Sequence, residues 1–339
     1  MAMTKCDRLL AQIRGDEPDR IPALGGWMLG VRNLAAIADI SMDEYLADPF
    51  AGMLKAHHRL DVDGVVPPVV PTDVDSIRAG QLEEKDFSGI EPEALEQRAA
   101  KIPDSEADIR ASVDVDSYRT KILEQWGRLI EQLDRVQLIP NEWFATTNFA
   151  LYFQYGYEAF LAATALYPEA IERIYWADGI KVRARNEVLA ELIREMDLAP
   201  MLFTGHDICL NWGPMVSPQF LRDHYWPHVR PAYEPLFDAG IRIICHCDGN
   251  VMPLIDDMLD AGYTGFQGFQ YECDIDVFDI RRRMKAYTDH PLFFTGLSVT
   301  YTLPRGTPDD VRAEVDWFRH FTDGGRGMFL FTSNVTGVE

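Results

Sequence analysis

The chain has 339 residues, 47% hydrophobic and 25% charged, which is enough apolar material for the core of one large barrel or two ordinary domains. Its 32 Lys and Arg stand against 54 Asp and Glu, a formal charge of −22 that disfavours nucleic acid and anionic membrane surfaces as partners. The five cysteines are irregularly spaced and make no disulfide framework, and no apolar run has the length of a membrane span or a signal-peptide core, so a reducing cytoplasm is the expected compartment.

In chain order, Cys6 to Ile13 reads as a short helix and Ile21 to Leu24 as a first strand closed by the Gly25-Gly26 turn. Met42 to Leu60 has helical spacing, with Pro49 placed to split it. A second strand, Asp63 to Val70, is apolar on both faces and delivers Thr72, Asp73 and Asp75 at its end. Residues 77–116 are polar and weakly periodic, and are expected to form an excursion on the surface. A helix from Ser117 carries Tyr118, Ile122, Leu123, Trp126 and Ile130 on one face.

Val136 to Trp143 reads as a third strand, followed by an aromatic cluster around Tyr152, Phe153, Tyr155 and Tyr157. Such a cluster lines a pocket for a flat ligand or, more commonly, belongs to the core. Tyr167 to Leu198 is helical. Met201 to Phe203 is a fourth strand ending in Gly205-His206-Asp207, and Ser217-Pro218 caps a helix that runs to about Asp238. Later strands fall at Ile241–Cys245, Thr264–Gln267, Leu292–Thr295 and Met328–Phe331, with helices at Val251–Leu259, Val277–Lys285 and Pro308–Phe321 between them. Eight strands alternating with helices predict an α/β chain, a single (β/α)8 barrel over residues 1–339 whose closing C-terminal helix is missing.

The strand end Ile241 to Asn250 (I-R-I-I-C-H-C-D-G-N) concentrates groups that bind metals or carry protons. Strand alternation, carried to position 248, sets His246 and Asp248 on one face and Cys245 and Cys247 on the other. The first pair suits zinc or proton exchange, and the second suits packing against a helix. In α/β proteins the carboxyl ends of strands are where sites are built. His57, His58, His224 and His228 fall on helices and are expected at the surface or in the core, and Ser217 reads as a cap rather than a nucleophile.

Several blocks resemble the uroporphyrinogen decarboxylase superfamily in one order. They are Arg14 to Pro22, Gly205-His206-Asp207-Ile208 with Gly213 to Pro218, His246 to Asn250, Leu303 to Pro308, and the glycine run Gly324-Gly325-Arg326-Gly327. The resemblance implies a single (β/α)8 barrel. It also implies one of two chemistries: metal-free decarboxylation of a porphyrinogen, or methyl transfer with a corrinoid protein. The decarboxylases grip propionates through two arginines near the first strand, and here only Arg32 stands in that pattern. Asp73 matches their central aspartate by position.

The methyltransferases bind zinc through His-x-Cys and a later Cys. His246 matches the first ligand, Asp248 occupies the place of the first Cys, and Asn334 is nearest to the last. Gln270 stands where some relatives carry Glu, beside Glu272 and Cys273. The expected metal set is therefore His246, Asp248, Glu272 and Cys273. The catalytic set is His246, Asp73, Asp207 and Tyr155, and substrate contacts fall to Arg32, Gln270, Asn334 and His206.

The leading expectation is a methyltransferase that moves a methyl group between a small substrate and a corrinoid (cobalamin) carried by a partner, with zinc assisting. The alternatives are a metal-free decarboxylase-like lyase on a carboxylate substrate, and a non-catalytic binder of a tetrapyrrole or other small ligand. A small-molecule substrate, a corrinoid protein and a second copy of the chain are the candidate partners.

Overall fold

The computed structural model describes residues 3–67, 86–268 and 270–334. Asp73 lies outside the described residues, as do 68–85, 269 and 335–339.

The fold is α/β with parallel sheets, as the alternation of strands and helices predicted. Eight strands run parallel: β1 (Leu24–Gly25), β2 (Gly64–Val65), β3 (Gln137–Leu138), β4 (Met201–Gly205), β5 (Arg242–His246), β6 (Gly265–Gln267), β7 (Leu292–Leu297) and β8 (Met328–Thr332). β1, β2 and β3 form one sheet, and β4 to β8 form a second in chain order. A single parallel bridge joins the two sheets at each edge, Asn141 to Phe203 and Ala23 to Leu330.

Successive residues of the long strands divide between two apolar clusters. Met201, Phe203, Ile244, Phe294, Phe329 and Phe331 belong to an inner cluster, while Leu202, Ile243, Cys245, Phe293 and Met328 pack with the helices. Burial on both faces is what covered parallel strands require. Leu9 and Ile13 of the first helix, Lys5–Arg14, close the inner cluster at one end, and Gln12 Nε2 of that helix donates to Gly325 O (2.7 Å) and Met328 O (2.6 Å). The carboxyl ends of the strands lie at the opposite end.

Several boundaries differ from the sequence expectation. β1 to β3 are two residues each, and Trp143 begins a 3-10 turn, Trp143–Ala145, rather than ending a strand. The stretch after β1 forms a helix, Val31–Ala38, that carries Arg32. Pro49 does split the next helix: Met42–Ala47 ends at Asp48, which accepts from Ala51 N (3.0 Å) to start Pro49–Arg59. Within 86–116, helices Glu93–Ala99 and Glu106–Ala111 bury Leu95, Ala99 and Ile109, and Arg173 ties them to the long helix Pro168–Glu195 through Ala99 O (3.1 Å) and Ile102 O (2.6 Å). In helix Val115–Gln132, Ile122 and Trp126 are buried, whereas Leu123 and Ile130 face outward. Ser217 caps Pro218–His224 by accepting from Phe220 N (3.1 Å), and a second helix, Trp226–Asp238, follows. Among the described residues no helix is long and apolar enough to cross a membrane.

The opening block resembling the superfamily has a structural task. Asp63 is fully buried and pairs with both Arg8 and Arg20, the latter at 2.7 Å, while its Oδ2 accepts from Ala23 N at 2.9 Å. Arg20 thereby fastens the segment before β1 to the segment before β2, at the end of the strands away from His246.

Candidate functional site

His246 closes β5, and its ring enters the inner cluster among Trp27 (centroids 4.8 Å apart), Trp143 (5.8 Å) and Phe203 (6.3 Å). Register pairs it with Gly205, the last residue of β4. A side chain at Gly205 would put its Cβ 2.1 Å from His246 O, and φ there is +146°, so glycine is required for this approach. The chain then turns at once to present Asp207.

Asp207 and Asp248 face the same edge of the imidazole. His246 Nε2 lies 3.7 Å from Asp207 Oδ1 and 4.0 Å from Asp248 Oδ1, and one ligand atom from each of the three residues falls within 4.8 Å of the others. Asp207 Oδ1 also accepts from Asp248 N (3.0 Å), which locks the two loops together. Asp248 Oδ2 accepts from Asn334 Nδ2, but Asp248 Oδ1 is buried with no hydrogen-bond partner. Burial raises the Asp248 pKa above the usual carboxylate range, partly opposed by His246 and reinforced by Asp207.

On the other edge, His246 Nδ1 is 2.5 Å from Gln267 Oε1. Gln267 Nε2 already donates to Thr332 O (2.8 Å) and Ser333 O (2.9 Å), so the oxygen of the amide is the atom turned to the ring. His246 must then carry its proton on Nδ1. In the neutral ring the Nε2 lone pair points at two carboxylates, an arrangement that repels unless a proton or a cation lies between them.

The other expected site residues occupy distinct places. His206 is half-buried beside Asp207. Its Nε2 is shielded and unpartnered, and burial pushes its pKa down to about 4. Gln270 Oε1 accepts from Gly249 N (2.7 Å) and so braces the turn after Asp248. Glu272 and Cys273 sit on the 3-10 turn Tyr271–Cys273. Glu272 Oε1 accepts from Ser298 Oγ at 3.4 Å, Cys273 Sγ is 4.0 Å from Gln270 Oε1, and the three-residue group found among the described residues contains neither. That group is Asp207, His246 and Asp248.

Cys245 and Cys247 do turn away from the ring; burial raises the Cys245 thiol pKa, and the contact with the Cys209 thiol, then burial, raises that of Cys247, so neither is a ready thiolate ligand. Arg32 is exposed. Tyr155 lies under Arg98 (5.9 Å) and lines a separate cavity of about 440 Å³ with Phe87, Pro92 and Tyr157. The aromatic residue tied to the site from that cluster is Tyr152, whose hydroxyl donates to Asp207 O (3.0 Å).

Trp27, Trp143 and Gln267 were not singled out in the sequence. Trp27 follows the Gly25-Gly26 turn and adopts φ 58°, rare for a bulky residue, with its Nε1 donating to Pro67 O (3.1 Å).

No protein-family model and no curated protein matches the chain. Among solved structures it is similar to a methyltransferase from Methanosarcina mazei, at 15% identity and a TM-score of 0.60, over 99% of this chain and 94% of that one. At that identity the likeness concerns the fold: this chain shares the fold of that methyltransferase along nearly its whole length.

Proposed function

We propose that the chain is a methyltransferase that moves a methyl group between a small substrate and a corrinoid carried by a partner protein, with a divalent cation bound by Asp207, His246 and Asp248. The observation that carries the metal reading is the buried, unpartnered Asp248 Oδ1 facing His246 Nε2, whose proton Gln267 holds on the far nitrogen. One imidazole and two carboxylates are a donor set that zinc accepts. A cation held there polarises a substrate heteroatom or lowers the pKa of a bound group.

The residues of the chain do the rest. Gln267 orients the ring, Asp207 and Asp248 supply negative charge, and Trp27 and Trp143 keep water from the imidazole. His206, its pKa depressed by burial, stays neutral beside the carboxylates. The blocks resembling the uroporphyrinogen decarboxylase superfamily and the shared fold support this reading, nearer its corrinoid-linked branch than its decarboxylases.

We also infer one domain built as a (β/α)8 barrel, supported by the bridges at both sheet edges and by the inner apolar cluster. We infer a cytoplasmic setting, which the free cysteines, four of them buried, support.

The test is elemental mass spectrometry on the protein and its His246→Ala variant, followed by methyl transfer to cob(I)alamin. About one metal per chain, lost in the variant, together with methylated product, is expected. No metal after loading with zinc, with carbon dioxide released from a carboxylate substrate, would replace this reading by the lyase.

A further inference from the structure

Between helix Val115–Gln132 and the long helix Pro168–Glu195 runs a cleft of about 310 Å³ that shares no lining residue with the cluster around His246. Lys121 enters it from the first helix, and Lys181 and Arg185, one turn apart, enter from the second. Ser112, Ser117 and Tyr118 complete the wall. In a chain with 22 more acidic than basic side chains, cations are expected to find carboxylates. Their neighbours do: Arg110 pairs with Glu187, Arg119 with Glu191 and Glu195, Arg173 with Asp104, and Arg183 with Glu234. Among the described residues, Lys121, Lys181 and Arg185 make no ion pair.

The carboxylates nearest these cations are otherwise engaged. Asp114, which itself lines the cleft, caps its helix by accepting from Ser117 N (2.9 Å). Glu142 Oε1 accepts from Phe144 N (2.9 Å) and Asp178 Oδ2 from Asn148 N (2.7 Å); burial raises the pKa of both acids, opposed by the field of Lys121 and Arg185 at Glu142 and of Arg185 and Lys181 at Asp178, without an ion pair to either. The Arg185 guanidinium lies over the Tyr118 ring at 5.9 Å. The Tyr118 hydroxyl is shut off from solvent and has no hydrogen-bond partner. Three cations that line one cleft, one of them a planar fork, match an anion with two charges and several oxygens. The volume falls at the small end of the range of about 300–1,000 Å³ for small-molecule sites.

We propose that this cleft is a binding site for a phosphate group, supplied either as free phosphate or on a small phosphorylated molecule. The Arg185 fork takes two oxygens, and Lys121 and Lys181 neutralise the charge from either wall.

The experiment is a titration followed by 31P NMR, with inorganic phosphate and glycerol phosphate as probes, at constant ionic strength and with chelator present to silence any bound metal. Saturable binding is expected, weakened about tenfold in Arg185→Gln and in Lys121→Gln, which corresponds to one charge-assisted hydrogen bond each. Lys121 is exposed, so its variant tests the site without disturbing the core. Tighter binding of the ester identifies a phosphorylated molecule as the occupant, and equal binding identifies free phosphate. Absence of saturation in the parent protein, or equal affinity in the parent and both variants, overturns the proposal and leaves the reading of the His246 site untouched.

Discussion

Gln267 faces His246 with its amide oxygen because its amide nitrogen is occupied by two carbonyls, Thr332 O and Ser333 O, beyond the neighbouring strand. The tautomer of the imidazole is therefore set by hydrogen bonds that begin at the end of β8. Partners of this kind typically change metal affinity by about 10–100-fold when removed. The variant Gln267→Leu, similar in size but without the acceptor, should weaken metal binding by that order in a chelator competition. Unchanged affinity would mean that the ring is held by Trp27 and Trp143 alone.

Asp248 yields a pH dependence. Burial raises its pKa in the folded protein above the unfolded value. The sign follows from linkage: a group with a raised folded pKa favours folding at pH values below its unfolded pKa, and that contribution is lost as pH rises through the folded pKa. Metal-free protein should therefore lose stability on going from about pH 4 upward at this position, and Asp248→Asn should flatten that part of the profile. The same variant should lose metal. Thermal unfolding of chelated samples across pH, parent against variant, measures the first effect. Parallel profiles would show that Asp248 is charged without penalty.

Asp63 lies between Arg8 and Arg20, fully buried, at the end of the strands away from His246. Removing its charge takes the buried carboxylate from two guanidinium groups, but Arg8 keeps Asp19 and the partly exposed Arg20 keeps Asp61, so the cost should fall at or below the low end of the about 3–5 kcal/mol for breaking a buried pair. Asp63→Asn should lower the urea midpoint accordingly, with metal content per folded chain unchanged. A loss below about 1 kcal/mol would class the pair with surface ion pairs.

Asp63 also shows which parts of the molecule were legible in the sequence. The Arg14 to Pro22 block was recognisable as a signature, yet its role in clamping β1 to β2 depends on a partner 43 residues from Arg20. The alternation of a single strand was readable, and the side chains of His246 and Asp248 do converge while Cys245 and Cys247 turn outward. Asp207 was visible as a residue at a strand end after glycine. Gln267 was not, because one glutamine on the next strand has no periodic or compositional mark. Trp27 was hidden for a similar reason, since the Gly25-Gly26 turn announces a change of direction without saying which side chain the turn delivers. The first and third strands were drawn too long because apolar residues around a two-residue pairing continue into stretches that are also buried, while the far end of the expected second strand lies outside the described residues.

Trp27 permits a test that separates packing from backbone strain. Its ring packs against His246, Trp143, Phe203 and Phe331 and is 2% exposed, while its φ of 58° lies in the left-handed region. Deleting the ring should cost about 3–5 kcal/mol in either Trp27→Ala or Trp27→Gly. The two variants differ in the backbone. Alanine retains a left-handed penalty of about 1–2 kcal/mol, whereas glycine removes it but gains about 0.4–1 kcal/mol of unfolded-chain entropy. The first effect is the larger, so Trp27→Gly should be the more stable variant by about 0.5–1 kcal/mol, read from urea midpoints at equal slope. A more stable alanine variant would mean that the backbone relaxes once the ring is gone and that the packing of Trp27 on His246 is what holds the left-handed turn in place.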